Sequence, residues 1–495
     1  MGVNNYITKT GKLIPLNPST SSISNTVPDT SLSNMIDFAE YGGKYNDSTF
    51  DNKPLLTQAM NELASKGGGT VYFPKNGSLY FTENIIVPSG VSLLGAPNKT
   101  KFILKSTVKN YWTFLHLDNK RNIKVENLIL DSNRDNRETA GNLGDLTGGT
   151  SPQIGISMAN RSKNITIQNC EIYGNGVWLL SCHTGGEHPS NIKIRDCYFN
   201  WKMGYASPDK PFTEGVTVDN TLIYFDAIDY IFENNVVETS TGSANMTGIE
   251  VHGARGIVKN NTFKNVRTGC IPWNMVNDYY GAIDNNHIIS DNKFLNVLNG
   301  FDVGLSPTRN FNGLTISGNY ILLDPNKFPN PKFSRGIILG VWNAKNGETS
   351  KNFKIIGNTI EGVDYTINHS DPSVYYNFYG IGVMSGVYSN LLINNNTLNN
   401  LPSFGLYGLN EFQKALKVNS AIIQGNMITD AGKSQQNRPS NVTAIYFKEN
   451  ASSDLTGVQF MNNGVHDTKP NGTYYSSGFM IPDKTSFQNP MVTDS

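Results

Sequence analysis

Apolar and polar residues alternate in short stretches that recur along most of the chain. Each stretch reads apolar-x-apolar-x-x-Asn-x-apolar, and eleven copies lie between residues 120 and 465 at steps of 26 to 42 residues. The period of two indicates a strand with one buried face, and each apolar core is too short for a helix. A repeat of this length predicts a stacked solenoid. The sixth positions of the copies are Leu128, Cys170, Cys197, Asn235, Asn261, Asn292, Asn319, Asn358, Asn396, Asn426 and Asn463.

The shortest steps favour a parallel β-helix among the solenoids. A step of 26 residues holds two or three short strands with their turns, but hardly a crossover helix. In such a coil, equivalent residues stack about 4.8 Å apart. The eight asparagines can then form an inward column of hydrogen-bonded amides. The alternative is that Asn only marks turns, which does not require the fixed register of the eight copies.

A short amphipathic helix is predicted ahead of the repeat. Residues 54–65 begin with Pro54, place Leu56, Met60 and Leu63 at helical spacing, and run into the glycines at 67–69. Such a helix can cover the open end of a solenoid. The predicted organisation is an arm in 1–35, a cap with the first coils in 36–120, the β-helix in 121–465 and a capping tail in 466–495.

The composition argues against several classes of partner. Forty Lys and Arg balance 40 Asp and Glu, which gives no electrostatic footprint for nucleic acid or an anionic membrane. No apolar run approaches about 18 residues, so no membrane insertion is expected. The first thirty residues lack the pattern of a signal peptide. The four Cys have no spacing typical of a metal site, and no cofactor is predicted, although metal binding stays open.

A second strand precedes each copy and contains the candidate catalytic residues. It usually begins with Gly, as in GIEVHG and GFDVGL, and the residue after the Gly is expected inward and the next outward. This rule places Glu250, His252 and Asp302 on one outward stripe, together with residues that include Leu180 and Pro272. Asp219, from GVTVDN, is expected about 5 Å from Glu250, and Asp302 about 10 Å from Glu250. These separations bracket those of glycosidase carboxyl pairs, so the three carboxylates are the predicted catalytic residues and His252 a predicted proton shuttle.

Aromatic and basic residues near the stripe are the predicted substrate contacts. Trp residues offer flat platforms for sugar rings, and arginines suit a phosphate or uronate. The insertions that begin at Asp131 and Cys182 are expected to wall the groove. Local salt bridges are the alternative role for the charged residues. The predicted substrate-binding residues are Trp178, Arg255, Arg309, His183, Glu187, His188 and Trp273.

The N-terminal part of the chain resembles a known group of β-helix proteins. The stretch IDFAEYGGKYNDSTFDNKPLLTQAMNELASKGGGTVYFP from Ile36 is similar to the entry module of pectate-lyase-like right-handed β-helices, particularly phage tailspikes and pre-neck appendages. LDSNRDN from Leu130 and GIEVHG are similar to segments of the same proteins. The resemblance covers about residues 36–465, although the turn at 45–49 lacks the usual acidic run. It implies an all-β, single-stranded right-handed parallel β-helix with a short capping helix, a homotrimer and a virion location, with assembly in the host cytoplasm.

Three functions remain open at this point. The first is a tailspike or pre-neck appendage that binds and depolymerises a teichoic acid or capsular polysaccharide, by hydrolysis rather than by a lyase reaction, and attaches to other virion tail proteins through the arm. The second is a bacterial polysaccharide lyase or epimerase. No dense Asp cluster for Ca²⁺ and no signal peptide support that alternative. The third is a receptor-binding spike without catalytic activity.

Overall fold

Three parallel β-sheets wind around one apolar core in the computed structural model, as a right-handed β-helix. Each coil gives a strand to sheet 1, then one to sheet 2, then one to sheet 3. The structure describes residues 5–7, 13–15, 34–109, 111–141, 154–174, 179–182, 187–201, 221–239, 244–273, 285–304, 310–328, 331–341, 349–367, 372–384, 386–408, 416–432, 443–447, 453–468, 479–480, 486–488 and 491–494.

The strands are short and follow one another in this order along the axis. Sheet 1 contains Met35–Asp37, Gly69–Phe73, Val91–Gly95, Arg121–Glu126, Lys163–Gln168, Ser190–Arg195, Ile228–Glu233, Ile257–Lys259, His287–Ser290, Phe311–Ser317, Thr349–Ile356, Gly386–Ser389, Leu391–Asn394, Leu416–Val418, Ala421–Gln424, Ser453–Asp454, Val458–Met461 and Ser486–Gln488. Sheet 2 contains Ser78–Phe81, Thr100–Leu104, Leu128–Asp131, Glu171–Gly174, Tyr198–Trp201, Val236–Thr239, Thr262–Lys264, Lys293–Val297, Tyr320–Leu323, Thr359–Gly362, Thr397–Asn399, Met427–Thr429, Gly464–Asp467 and Met491–Asp494. Sheet 3 contains Ile85–Ile86, Thr113–His116, Ile154–Ser157, Leu180–Cys182, Thr221–Phe225, Ala244–Val251, Val266–Pro272, Asn299–Gly304, Ser334–Val341, Phe378–Val383, Phe404–Gly408, Ile445–Phe447 and Phe479–Met480.

The repeated motif is the strand of sheet 1, a tight turn and the strand of sheet 2. The residue before the sixth position has positive φ, as in Asn234 (φ 58), Asn260 (φ 55) and Asp291 (φ 57). Asn, Asp and Gly adopt this left-handed conformation at the lowest cost. The chain uses Gly there in three coils, at Gly318, Gly357 and Gly425. The backbone of the turn therefore determines the residue type at the fifth position of the motif.

The sixth-position asparagines form a continuous ladder inside the β-helix. Asn261 Nδ2 donates to Asn292 Oδ1 (2.9 Å) and to the backbone oxygen of Phe232 (2.9 Å). Asn292 Oδ1 also accepts from the backbone N–H of Asn261 at 2.9 Å. The same pattern runs from Asn235 to Asn463, and all eight side chains are buried. Because every amide of the ladder has hydrogen-bond partners, the ladder joins the coils without the cost of unpaired polar groups.

An α-helix, Lys53–Ser65, packs on the first coils. It buries Leu56, Ala59, Met60 and Leu63 against the start of the core. Pro54 lies in its first turn, where a missing N–H costs nothing. Among the described residues, the other helical segments are Arg134–Thr139 and the 3₁₀ turns Pro325–Lys327 and Pro372–Asn377. No helix in the described ranges has both the length and the apolar composition to cross a bilayer.

The two ends of the chain also form strands. Asn5–Ile7 and Leu13–Pro15 pair as an antiparallel hairpin. Near the C-terminus, Phe479–Met480, Ser486–Gln488 and Met491–Asp494 pair in parallel with the preceding strands of sheets 3, 1 and 2. The tail thus adds one strand to each of the three sheets and extends sheets 1 and 2 by one coil beyond the last copy of the motif.

Candidate functional site

The candidate residues lie on the outward face of sheet 3. Ile223 pairs with Ile249, Ile249 with Cys270, and Cys270 with Phe301, and these side chains point into the core. One position later, the side chains point outward. We call this outward set the central row; it consists of Ser157, Ser181, Tyr224, Glu250, Ile271, Asp302 and Ile338.

Stacked glycines, among them Gly248, Gly269, Gly300 and Gly336, occupy the corner position just before the inward residue in several strands of sheet 3. A Cβ on Gly269 would lie 2.2 Å from Phe294 Cδ1, and one on Gly300 would lie 2.9 Å from Ile321 Cδ1. Side chains of sheet 2 reach this corner, so a Cβ at either glycine would force those side chains to shift. Counted from this corner, the first residue points inward and the second, such as Glu250 after Gly248 or Asp302 after Gly300, points outward.

Three sequence-based placements on this face were wrong. The strand before that of Glu250 is Thr221–Phe225, so Tyr224 and not Asp219 is opposite Glu250; Asp219 lies outside the described residues. Leu180, expected outward, pairs with Ile156 and Ile223 and is buried. Pro272 pairs with Val251 on the inward side, because the corner glycine of this coil is Gly269 and not Cys270.

Glu250 lies at the centre of a hydrogen-bonded group. Thr221 donates to its Oε1, and His252 Nε2 lies 2.9 Å from its Oε2. His252 Nδ1 in turn lies 3.4 Å from the hydroxyl of Tyr224. The Glu250 side chain is 16% exposed, so it remains accessible. An ionised carboxylate only accepts hydrogen bonds, and these partners can both donate; the group therefore suits a charged Glu250 with a proton relay through His252.

Trp273 lies in the coil between those of Glu250 and Asp302. Its ring is nearly parallel to that of His252, with an interplanar angle of 11° and centroids 6.0 Å apart. Gly304 is its partner in the next coil, and a Cβ there would lie 2.0 Å from Trp273 Cε3. The glycine thus leaves the space that the ring occupies, and Trp273 is partly exposed. A flat aromatic surface of this kind is suited to stacking a sugar ring.

Asp302 is almost completely buried in a polar environment. Its Oδ2 accepts from Asn299 Nδ2 (3.1 Å) and from the hydroxyl of Thr268 (3.3 Å). Burial raises the pKa of the Asp302 carboxyl, although Arg335, the Asn299 hydrogen bond, Arg267 and Thr268 all act in the opposite direction. Such a group keeps its proton to a higher pH than an exposed aspartate does.

Asp226 is a further candidate residue, which the sequence did not reveal. It follows the strand Thr221–Phe225 and lies opposite His252, because Phe225 pairs with Val251. His188 Nδ1 lies 2.9 Å from both the backbone oxygen and Oδ1 of Asp226, and both residues are buried. The sequence signal was the apolar run TLIYF that ends at an aspartate. Assigning the strand to GVTVDN concealed it.

The other predicted binding residues lie at different distances from the central row. Glu187 pairs with Arg161 (3.2 Å), and the buried His188 contacts Asp226 beside the central row. Arg255 forms a two-pronged ion pair with Asp229 (2.6 and 2.8 Å) on the turn into sheet 1, away from the central row. Trp178, His183 and Arg309 lie outside the described residues. The structure therefore brings together Glu250, His252, Trp273 and Asp302, and adds Asp226 and Tyr224.

The insertion that begins at Asp131 borders a different face. A cavity of about 220 Å³ there is lined by residues that include Tyr80, Lys101, Asp131, Arg134 and Tyr173, over sheet 2. Asp131 pairs with Lys101 at 2.7 Å. Within the described residues, no group of three or more His, Cys, Asp and Glu side chains is placed to hold a metal ion.

The structure is similar to those of the tailspike protein of the E. coli bacteriophage HK620. The match to a mutant in complex with a pentasaccharide covers 98% of this chain and 82% of that chain, at 13% identity and a TM-score of 0.62. The match to the tailspike without a named mutation, also with a pentasaccharide, covers 99% and 84%, at 14% identity and a TM-score of 0.56. No family model matches the chain, and no curated protein matches its sequence. The chain therefore has the parallel β-helix fold of a phage tailspike.

Proposed function

We propose that this protein is a phage tail appendage that binds a bacterial cell-surface glycopolymer and cleaves it by hydrolysis. The observation that supports this most is the arrangement of Glu250 and Asp302 in one row, with the partly exposed Trp273 in the coil between them. The structurally similar tailspikes are named in complex with penta- and hexasaccharides, and several are mutants in which one Glu or one Asp is replaced. Capsular polysaccharide and teichoic acid are the substrate classes proposed.

The spacing of the two carboxylates suits inversion at the sugar carbon. Two coils separate their Cα atoms by about 10 Å. Inverting glycosidases hold their carboxyl groups roughly 6.5–9.5 Å apart to leave room for a water molecule. Side chains that lean toward each other would bring Glu250 and Asp302 into that range.

Each carboxyl has a role in this reaction. Asp302, whose pKa burial raises, gives its proton to the glycosidic oxygen as the bond to the sugar carbon breaks. Glu250 takes a proton from the water that attacks the same carbon from the opposite side. His252, at 2.9 Å from Glu250, is placed to relay that proton to solvent. The sugar ring next to the cleaved bond stacks on Trp273.

Asp226 offers a second pairing for Glu250. The two residues lie in neighbouring coils and are offset by two positions, so their Cα atoms are separated by about 8 Å. This distance also fits an inverting pair. Single substitutions of Asp226 and Asp302 distinguish the two arrangements, because the true partner of Glu250 is required for cleavage.

The remaining predictions extend this proposal. Substrate contacts by Trp178, Arg255, Arg309, His183, Glu187 and His188, attachment to other tail proteins through 1–35 and homotrimer assembly all stay predictions, as does action as a virion component at the cell surface.

Cleavage of purified polymers tests the proposed function. The protein would be incubated with capsular polysaccharides and teichoic acids, and product length followed by size-exclusion chromatography. Shortened chains with new reducing ends support hydrolysis of a polysaccharide. A carbon–carbon double bond in the products indicates a lyase, and binding without shortening indicates a receptor-binding spike.

A further inference from the structure

Two buried oxygen atoms beside the proposed active site have no hydrogen-bond partner in the described part of the chain. They are Oδ1 of Asp302 and Oδ1 of Asn299, which are only 8% and 3% exposed as residues. Both residues belong to the strand Asn299–Gly304, and Asn299 Nδ2 donates to Asp302 Oδ2 at 3.1 Å. One hydrogen bond therefore joins the two side chains, while Oδ1 of each residue has no hydrogen-bond donor. Buried acceptors in folded proteins are rarely left in this state.

A single proton on the Asp302 carboxyl would give both unpaired oxygen atoms a hydrogen-bond partner. An ionised carboxylate presents only acceptors, whereas a primary amide presents one acceptor and one donor. A neutral carboxyl group also presents one of each, so it can match the amide in a cyclic pair. The amide of Asn299 could also be turned over, with its oxygen and nitrogen exchanged. The carboxyl group would still need a proton in that orientation, because the amide still presents one acceptor.

We propose that Asn299 holds Asp302 as a neutral carboxylic acid, in which Oδ1 of Asp302 carries the proton and donates it in a hydrogen bond to Oδ1 of Asn299. Asn299 is then the positioning residue of the proposed general acid. The protonation state stands on the packing of Asn299 and Asp302 alone; its catalytic consequence rests on the proposed function.

The charged groups that face Asp302 oppose this state. Arg335, in the strand Ser334–Val341, and Arg267, in Val266–Pro272, both favour the carboxylate. Both guanidinium groups also lie over the ring of Phe333, at 5.0 and 5.1 Å, and Arg335 donates to Asn377. The hydrogen bonds that Asn299 Nδ2 and Thr268 donate to Oδ2 act in the same direction as the arginines, and burial of the carboxyl outweighs all of them, so its pKa is raised. Asn299 thus favours the acid only through its Oδ1, which accepts the proposed proton. The arginines then have a second use, since they stabilise the anion left after proton transfer.

The transfer conserves protons and bonds. When substrate binds, the glycosidic oxygen takes the place of the Asn299 amide oxygen as the acceptor. The proton moves to that oxygen as the bond to the sugar carbon breaks, and Asp302 becomes a carboxylate. Its proton is restored from solvent, which receives the one that Glu250 removed from the attacking water.

The stability of Asp302→Asn as a function of pH tests the protonation directly. Asn keeps the neutral shape of the proposed acid. An acid whose pKa is raised in the folded state contributes stability that is present below its unfolded pKa of about 4 and is lost as pH rises through the folded value. The melting temperature of Asp302→Asn should therefore rise relative to that of the wild type between about pH 3 and pH 7. A relative fall over this range would show an ionised Asp302 held by the arginines and would overturn the proposal, as would a difference that does not change with pH.

Infrared spectroscopy tests the role of Asn299. The wild type should show the C=O stretch of a neutral carboxyl group at neutral pH, and Asp302→Asn should lack it. Asn299→Ala should lose the band, whereas the matched control Thr268→Val, which removes only a donor to Oδ2, should keep it. Persistence of the band in Asn299→Ala would overturn the role of Asn299. If the band behaves as expected but no polymer is cleaved, the proposed function fails and the protonated pair stands.

Discussion

The rings of His252 and Trp273 lie nearly parallel, with centroids 6.0 Å apart. His252 also contacts the Glu250 carboxylate, so this pair joins the flat aromatic surface to the candidate base. Gly304 lies next to the Trp273 ring, and its lack of a side chain leaves room for the indole. Under the proposed function, binding and cleavage depend on the same set of contacts, so a change at Trp273 should affect both.

Replacing Gly304 with Ala should disturb the platform without unfolding the β-helix. The new Cβ would lie 2.0 Å from Trp273 Cε3, so the indole must move. We expect weaker polymer binding and at least about 10-fold slower cleavage, a loss of roughly 1.4 kcal/mol. Isothermal titration calorimetry and product analysis measure the two effects. Trp273→Phe, which keeps a flat ring, should retain more activity than Trp273→Ala; equal losses would contradict stacking as the role of this residue.

The asparagine ladder should contribute more to stability in its middle than at its end. Asn319→Ala removes the acceptor of the Asn292 backbone N–H and amide and the donor to Asn358 and Ile289. At about 1–3 kcal/mol for each buried group left unpaired, the cost should exceed about 3 kcal/mol.

The matched control for the ladder is Asn463→Ala. Asn463 accepts from Asn426 and donates to Ile423, without a further asparagine beyond it in the described chain. It should cost less than Asn319→Ala in denaturant or thermal melts. Equal costs at the two positions would show that the ladder adds nothing beyond single hydrogen bonds.

The turn between sheets 1 and 2 should reject β-branched residues at the fifth position of the motif. Asn260 has a φ of 55°, in the left-handed region. Asn260→Gly should be nearly neutral, whereas Asn260→Val should cost about 1–2 kcal/mol because its Cβ is strained there. Melting temperatures of the two variants provide the comparison, and equal values would contradict a backbone origin for this preference.

Cleavage should slow as pH rises through the pKa of Asp302. Burial raises that pKa, and a general acid acts only while protonated, so the basic limb of the rate profile should vanish in a variant with no proton to lose. Asp302→Asn should therefore leave a low rate that lacks this limb. A rate in Asp302→Asn that matches the wild type at every pH would assign the acid role elsewhere, with Asp226 the next residue to test.

Much of the fold could be predicted from the sequence, because the repeat has one buried polar position per coil. The spacing of Asn235, Asn261 and Asn292 led to the solenoid and to the ladder that the structure contains. The helix predicted at 54–65 is present as Lys53–Ser65. These features depend on local backbone geometry and on burial, and both can be inferred from the types of residue at each position.

The site could be predicted only in the coils that have a glycine at the corner position. Glu250 and Asp302 follow such glycines, and the structure places both outward. Tyr224 and Asp226 could not be found, because two β-like segments, GVTVDN and TLIYF, follow one another after Trp201. A strand that begins one residue later moves every side chain to the opposite face, so the order of residues alone does not fix this register.

Cleavage of a bound polymer by Glu250→Gln tests the central claim most directly. The variant keeps the shape of the side chain and the contacts with Thr221 and His252 but cannot take a proton from water. The polymer that the wild type shortens would be offered to both proteins, with binding measured in parallel. We expect Glu250→Gln to bind it as well as the wild type and to cleave it at least about 100-fold more slowly. Cleavage by Glu250→Gln at the wild-type rate would contradict the assignment of the active site to this row.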